Sequence, residues 1–515
     1  MMERRDFFKV LGLGTMAWAS GYCNTSKVKK KPHIVFIMAD DMGYGDVKCY
    51  NPESKIPTPH MDRLASQGIR FTDAHSPSAV CSPTRYGVLT GRYCWRTWLK
   101  RGVVGGYTPP LIEPDRPTVA SFLKENGYRT GCFGKWHLGL GWTRQNGFTP
   151  TWKDAEKMWR GSWQDGNPEE GMDVDFTAPI QGGPADLGFD EAYFTAACST
   201  IDGPFAYIHN RHTVGIPDEP VYVDQDKHTD FRPRPGWIAP GFDLEYVDPT
   251  FTGKAIEFME RSLKENPDQP LFVYLPLSSP HAPWLPPEFV KGKSEEGPRG
   301  DLVFLADWCL GEVLRTLDRL KMADNTLLIM TSDNGPRHGA KGHRASGPLR
   351  GHKSHIWEGG HRIPFIARWP GRISPNTTSN EMICLTDVMA TCAAILDTGL
   401  PPEAGPDSFD ILPALLGAKG EFPIRDNLIS HSENGTFGLR EGSWKLILDN
   451  KTSGGWVEPA GERPRPDTPG QLYDLATDPQ EKNDLWEKRP DIVKRLSFML
   501  EKCKSEGRSA PDYVR

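Results

Sequence analysis

"TLLIMTSDNG", residues 326–335, runs through five apolar or β-branched side chains after Thr326 and then turns abruptly polar at Ser332, Asp333 and Asn334. A run this short and this apolar suits a strand covered on both faces, as in a parallel sheet. Its Asp-Asn-Gly ending suits the turn that must follow. Three further stretches repeat the design: "HIVFIMAD" (33–40), "RTGCFGKWH" (129–137) and "PLFVYLPLSSPH" (270–281). Helical patterns alternate with them. "RPTVASFLKENGY" (116–128) has Pro117 near its start and Gly127 as a stop, and "TDVMATCAAILD" (386–397) has Thr386 as a candidate N-cap. "HMDRLASQGI", "GKAIEFMERSLKEN" and "RGDLVFLADWCLGEVLRTLDRLK" supply three more amphipathic segments. Strand alternating with helix predicts an α/β fold: a large doubly wound, mixed but mostly parallel sheet flanked by helices.

From about Phe422 the pattern changes. "TFGLREGSWKLILD" (436–449) reads as two short strands, "QLYDLATDPQEKNDL" (471–485) as a strand and turn, and "PDIVKRLSFMLEKCKSEG" (490–507) as a closing helix. This predicts a smaller C-terminal α+β subdomain, residues 422–515, with a short antiparallel sheet. Residues 28–421 are then the main domain. Residues 150–250 are rich in Trp, Gly, Pro and Asp and weak in periodicity. They read either as an insertion facing a ligand or as an irregular surface cover.

The N-terminus, "MMERRDFFKVLGLGTMAWASGYC", carries Arg4-Arg5 before an uncharged, Gly-rich stretch. Residues 1–27 thus read as a twin-arginine-type export signal, which implies the twin-arginine translocase as a partner and a periplasmic or secreted product. Cys23 could accept a lipid, but bulky Tyr22 before it argues for cleavage instead. No other segment is apolar enough to span a membrane. A net charge of -6 without a basic stripe gives no sign of a nucleic-acid partner. The 16 tryptophans suit either core packing or exposed ring platforms of the kind that bind sugars. Ten cysteines without tight repeated spacing do not make a disulfide scaffold.

The polar residues gather where the strands end: Asp40-Asp41, Lys135 and His137, His281, and Asp333-Asn334. In an open α/β sheet the ligand crevice lies beyond the carboxyl ends of the strands. Any one of these residues alone reads as a turn cap, but four strands delivering them to one edge read as a site. Asp40, Asp41, Asp333 and Asn334 offer only hard oxygen donors, a set for Ca²⁺ or Mg²⁺ and not for zinc. "CSPTRYGVLTGR" (81–92) puts Cys81 at a helix N-terminus, with Pro83 in the first turn and Arg85 one turn on. Cys81 could be an inert buried thiol or a nucleophile of lowered pKa.

With these residues in view, the chain resembles the type I, formylglycine-dependent sulfatases of the alkaline phosphatase superfamily. The resemblance runs from about Lys31 to about Leu485 and rests on "CSPTRYGVLTGR", "GKWHLG", "LPLSSPHAPW", "TSDNG" and "RGHKSHIWEGGHRIPFIARWPG". It implies that a separate maturation enzyme reads Cys-x-Pro-x-Arg and converts Cys81 to Cα-formylglycine. It also implies that Asp40, Asp41, Asp333 and Asn334 hold Ca²⁺, and that Arg85 and Lys135 balance charge at the aldehyde hydrate. His137 would take the proton that releases sulfate, while His281 and Lys353 hold the sulfate and protonate the leaving oxygen. Ser199 in "ACSTID" matches a polar position of the sulfate pocket, and Asp202, His212 and His355 are candidates for contact with a sugar. The implied activity is hydrolysis of O-sulfate esters on a sulfated carbohydrate, with galactose or N-acetylgalactosamine sulfate as candidates. A phosphate mono- or diesterase of the same superfamily, or a glycan-binding relative that has lost catalysis, are the rival readings.

Overall fold

The computed structural model describes residues 30–161, 171–221, 234, 236–418, 420–449, 452–456 and 468–513. The expected export signal, with Cys23, lies outside them. Residues 32–515 form one compact unit.

The first strand, β1 (His33–Ala39), shows how the architecture follows from period-two side-chain alternation. Ile34, Phe36 and Met38 enter one hydrophobic core together with Tyr86, Val88 and Leu89 of the helix Cys81–Thr90 and with Val119 and Leu123. Val35, Ile37 and Ala39 enter a second core with Leu64, Phe251, Phe258, Leu310 and Leu314. The sheet is therefore apolar on both faces, and a helix layer covers each, as a near-continuous hydrophobic strand requires.

Ten strands build this sheet. After β1 come β2 (Ile69–Phe71), β3 (Arg129–Lys135), β4 (Glu191–Thr195), β5 (Ile208–His209), β6 (His212–Thr213), β7 (Leu271–Pro276), β8 (Thr326–Ser332), β9 (Phe365–Arg368) and β10 (Thr377–Ser379). Their spatial order is β10-β2-β9-β8-β1-β7-β3-β4-β5-β6. The five central strands, β8-β1-β7-β3-β4, run parallel, while β9, β5 and β6 introduce antiparallel pairs. The expected mixed, mostly parallel sheet is thus present. One local expectation fails: the helix Val388–Ile395 is entered from Asp387, after a short 3-10 turn over Leu385–Asp387. Thr386 is inside that turn and does not cap the helix.

A separate four-stranded antiparallel sheet follows: β11 (Leu428–His431), β12 (Phe437–Glu441), β13 (Trp444–Ile447) and β14 (Gln471–Asp474). The helix Pro490–Ser505 packs Leu496 and Leu500 against Leu439, Leu446 and Leu472 of this sheet. Arg440 on β12 pins the sheet to the main body. It donates to Asp73 Oδ1 at 2.7 Å and Oδ2 at 3.1 Å, and its Nη1 lies 3.0 Å from His75 Nε2. Arg440→Ala leaves Asp73 with only His75 at 2.8 Å and Arg362 at 3.5 Å, and is expected to cost about 1–3 kcal/mol, read as a lowered thermal midpoint. A midpoint within error of the parent would contradict this role.

The end of β11 also braces the approach to Cys81. The His431 amide donates to the Pro77 carbonyl at 3.3 Å, and the Ala79 amide donates to the His431 carbonyl at 3.0 Å. The His431 ring is buried, with Nδ1 donating to the Ser432 carbonyl at 3.2 Å, and burial holds its pKa down to about 4. The unfolded chain takes up this proton near pH 6.5, the folded chain only near 4. Between those values the unfolded state binds more protons, so stability present above pH 6.5 is lost as pH falls. The thermal midpoint is expected to drop between pH 6.5 and 4, and His431→Gln to flatten that slope. An unchanged slope in the variant would rule His431 out as a contributor.

Candidate active site

The parallel strands β8, β1, β7, β3 and β4 all point their carboxyl ends to one edge, and the polar residues that follow them meet there. Register makes this unavoidable: Ala39 pairs with Ser332, Met38 with Pro276, and Lys135 with Thr195. Asp40 and Asp41 therefore stand beside Asp333 and Asn334, and Lys135 stands beside the segment that leaves β4. Backbone bonds extend the alignment past the strands, with Asp40 N donating to Ser279 O and Asp333 N to Ala39 O, each at 3.0 Å. Asp248, on the helix Val247–Glu265, accepts from the amides of Ser278 at 2.8 Å and Ser279 at 2.7 Å and so fixes the turn that presents His281.

Three non-glycine residues here adopt the left-handed backbone region: Asp41 (φ 67°), His137 (φ 58°) and Ser354 (φ 78°). Such conformations cost on the order of 1–3 kcal/mol each and persist where surrounding structure imposes them.

Cys81 begins its helix and is buried. Its thiol donates to Asp40 Oδ1 at 3.3 Å, and Lys353 Nζ approaches the sulfur to 3.5 Å. Burial, contact with Cys198 and the Asp40 charge push the Cys81 thiol well up, so an unaltered Cys81 is a protonated thiol rather than a thiolate nucleophile. Lys353 also pairs with Asp41 Oδ1 at 2.6 Å. Arg85 is wholly buried and does not face the crevice opening. Its Nε and Nη2 donate to Asp333 Oδ2 at 3.1 and 2.8 Å, Nη1 donates to the Lys135 carbonyl at 2.7 Å, and Nη2 lies 3.3 Å from Asp40 Oδ2. It thus ties the ends of three strands together. Lys135 donates to Asp40 Oδ2.

The four oxygen donors leave two buried atoms without a hydrogen bond: Asp41 Oδ2 and Asn334 Oδ1. The Asn334 amide nitrogen is spent on Asp41 Oδ1 at 2.8 Å and the Gly335 carbonyl at 2.9 Å, which leaves its carbonyl oxygen to act as an acceptor only. Burial and the neighbouring Asp40 push the Asp333 carboxyl up to about 6, the mark of carboxylates crowded without enough positive charge. Orphaned oxygens and crowded carboxylates together fit a hard divalent cation such as Ca²⁺.

The two histidines are oriented by backbone carbonyls. His137 Nε2 donates to Val104 O at 2.8 Å, which leaves Nδ1 as the acceptor. Burial holds its pKa down to about 4. His281 Nδ1 donates to Ala282 O at 2.5 Å, and Nε2 lies 3.8 Å from Asp41 Oδ2. Burial and Lys353 oppose its charge, but Cys198, Asp41 and Asp40 outweigh them and raise its pKa.

Cys198 lies between these histidines and was not foreseen. Its sulfur is 3.8 Å from His137 Nδ1 and 3.8 Å from His281 Nε2, and its thiol contacts Cys81. Its neighbour Ser199 turns away, bonding Thr195 Oγ1 at 2.6 Å and Ser278 Oγ at 2.5 Å. Strand β4 delivers this segment as a fifth strand end. It lay hidden because 150–250 shows little periodicity, although "ACSTID" had drawn attention to the right six residues. Asp202, close to His137 and Cys198, pairs with Arg234 Nη1 at 2.5 Å, and burial pushes its carboxyl up to about 6. His355 is buried, its ring tilted against His352 with centroids 4.0 Å apart and edge-on to Trp357. His212 is exposed on the edge strand β6, and none of the contacts above reaches it.

The sulfatase family pattern matches residues 32–398. The N-acetylgalactosamine-6-O-sulfatase of Bacteroides thetaiotaomicron is 34% identical, over 92% of this chain and 94% of its own length. Human arylsulfatase A is 31% identical, over 89% of this chain and 84% of its own length. A solved structure described under the metabolism of multiple glycosaminoglycans by B. thetaiotaomicron superposes with a TM-score of 0.77 at 32% identity. It covers 92% of this chain and all of that one. Nine cysteines among the described residues are free thiols, and no described helix is long and apolar enough to cross a membrane.

Proposed function

The chain belongs to the sulfatase family and is a sulfuric ester hydrolase, and from that premise we propose that it removes O-sulfate from a sulfated carbohydrate. The sugar is galactose or N-acetylgalactosamine sulfate, and the 6-O position follows the relative that shares 34% identity. The reading includes Cys81 as Cα-formylglycine, made by a dedicated maturation enzyme, and Ca²⁺ held by Asp40, Asp41, Asp333 and Asn334. Residues 1–27 are taken as a twin-arginine export signal, 28–421 as the catalytic domain and 422–515 as its C-terminal subdomain. The product is exported to the periplasm or beyond.

One observation carries the site assignment. The Cys81 side chain lies 3.3 Å from Asp40 Oδ1 and 3.5 Å from Lys353 Nζ, and a carboxylate oxygen of Asp41 lies within 4.8 Å of it. Residue 81, the metal ligands and a lysine thus share one buried corner at a helix N-terminus, which favours an anion such as sulfate. The hydrate of a formylglycine supplies two hydroxyls on one carbon, one to take sulfur and one whose deprotonation releases it. A bound Ca²⁺ supplies positive charge at the sulfate oxygens.

The chain's own groups divide the remaining work. Lys353 and Lys135 set positive charge around the sulfate, and Arg85 keeps Asp333, Asp40 and the Lys135 backbone in register. His137, with Nε2 committed to Val104, offers Nδ1 to accept the proton whose loss expels sulfate. His281, with Nδ1 committed to Ala282, offers Nε2 to protonate the departing sugar oxygen. An alkyl alcohol is a poor leaving group, so that proton matters more here than it would for a phenol. Intact-mass measurement of the peptide around residue 81, followed by sulfate release from a panel of position-defined sulfated saccharides, tests the reading. Matured protein that freed no sulfate from any saccharide, or that worked better on phosphate esters, would overturn it.

A further inference from the structure

The crevice has a wall that neither strand ends nor sequence motifs predict. The loop 452–456, between β13 and β14, reaches across to the turn that carries Lys353. Ile356 N donates to Ser453 O at 2.9 Å, and Trp456 N to Ser354 Oγ at 3.4 Å. A side chain at Gly455 would come within 2.3 Å of His355 Cδ2 and 2.6 Å of Ser354 Oγ, so the close approach requires glycine there. The loop thereby brings the half-buried indole of Trp456 beside two cations of the site. The Arg337 guanidinium lies 4.6 Å from the ring centroid and Lys353 Nζ 5.7 Å from it. Lys353 is the same residue whose Nζ is 3.5 Å from Cys81 Sγ. Arg337 follows Asn334 by three residues and lies near enough to Asp41 for their charges to interact.

A sulfated sugar whose ester reached residue 81 would hold its ring within reach of this indole. Pyranose rings present a C–H face that packs on aromatic planes, and a guanidinium at the ring's rim donates to hydroxyl oxygens. We propose that Trp456 and Arg337 form the saccharide-binding wall of the site, so that the C-terminal segment decides which sulfated sugar is accepted. The proposal rests on the carbohydrate-sulfatase reading and deepens it.

The test uses matured enzyme, checked by mass at residue 81, with Trp456→Ala and Trp456→Phe. Steady-state kinetics on the best saccharide of the panel are compared with the inhibition constant for inorganic sulfate, which occupies only the sulfate pocket. Trp456→Ala is expected to raise KM about tenfold with a much smaller fall in kcat and an unmoved sulfate inhibition constant, and Trp456→Phe to recover most of the loss. Arg337→Lys is expected to raise KM in the same direction. An unchanged KM in Trp456→Ala overturns the proposal. So does a loss of sulfate inhibition in parallel with KM, because it would mean that the indole only props up the pocket. If the parent enzyme cleaves no saccharide at all, the carbohydrate reading itself has failed. Cleavage by the parent with no response to Trp456→Ala removes the wall alone.

Discussion

Cys81→Ala is expected to lower kcat/KM by a factor of about 10⁴–10⁶, the range found when a covalent nucleophile is removed. Truncating this buried side chain is expected to cost on the order of 1 kcal/mol, which leaves the helix Cys81–Thr90 folded, so the lost activity is not a lost fold. Cys81→Ser is the more telling variant. A serine hydroxyl can reach the sulfur atom but carries no second hydroxyl on its carbon. The resulting sulfate ester has no internal route to collapse. One equivalent of alcohol is therefore expected, followed by arrest, with sulfate covalently retained on the protein and visible by intact mass. Continued turnover in the serine variant would show that residue 81 does not act through a twice-hydroxylated carbon.

The second large effect is expected from the metal site. Chelation should abolish turnover, and added Ca²⁺ should restore it. Asp41→Asn is expected to lower kcat/KM by on the order of 10²–10³, comparable to losing one group that stabilises transition-state charge. It removes the charge beside an orphaned oxygen and strips Lys353 of its partner at 2.6 Å. A readout independent of activity is available. A ligand present at 100 times its Kd stabilises the fold by roughly 2.7 kcal/mol, so Ca²⁺ should raise the thermal midpoint of the parent and not that of Asp41→Asn. Equal shifts in both proteins would place the ion elsewhere.

Much of this site was legible before any coordinates. Asp40-Asp41, His281 and Asp333-Asn334 each follow an apolar run of strand length, and Lys135 and His137 close another, so the pattern marks both the strands and what they deliver. The family motifs then join Cys81, Arg85 and Lys353 to that set. The orientation of Arg85 was not legible. Its helical spacing places it one turn on from Cys81 but does not say where its donors go, and they go to Asp333 and the Lys135 carbonyl. The part played by Cys198 was not legible either: it is the side chain turned towards Cys81, while Ser199 beside it is held by Thr195 and Ser278. A one-residue step leaving a strand reverses the side-chain direction, and nothing local fixes that step when the strand itself is masked by irregular sequence.

The linear chain by itself determined that there are buried parallel strands, that acids, an amide, a lysine and histidines stand at their carboxyl ends, and that a lone cysteine opens a helix. Those properties are local, because apolar periodicity and turn chemistry act over a few residues. Only the tertiary structure decided which strand ends are neighbours, that β4 adds Cys198 to them, that Arg85 faces inward, and that Trp456 crosses from the C-terminal sheet to stand beside Lys353. These depend on strand order and loop docking between segments hundreds of residues apart. Pairing free energy sets such contacts, and no short window of sequence contains both partners.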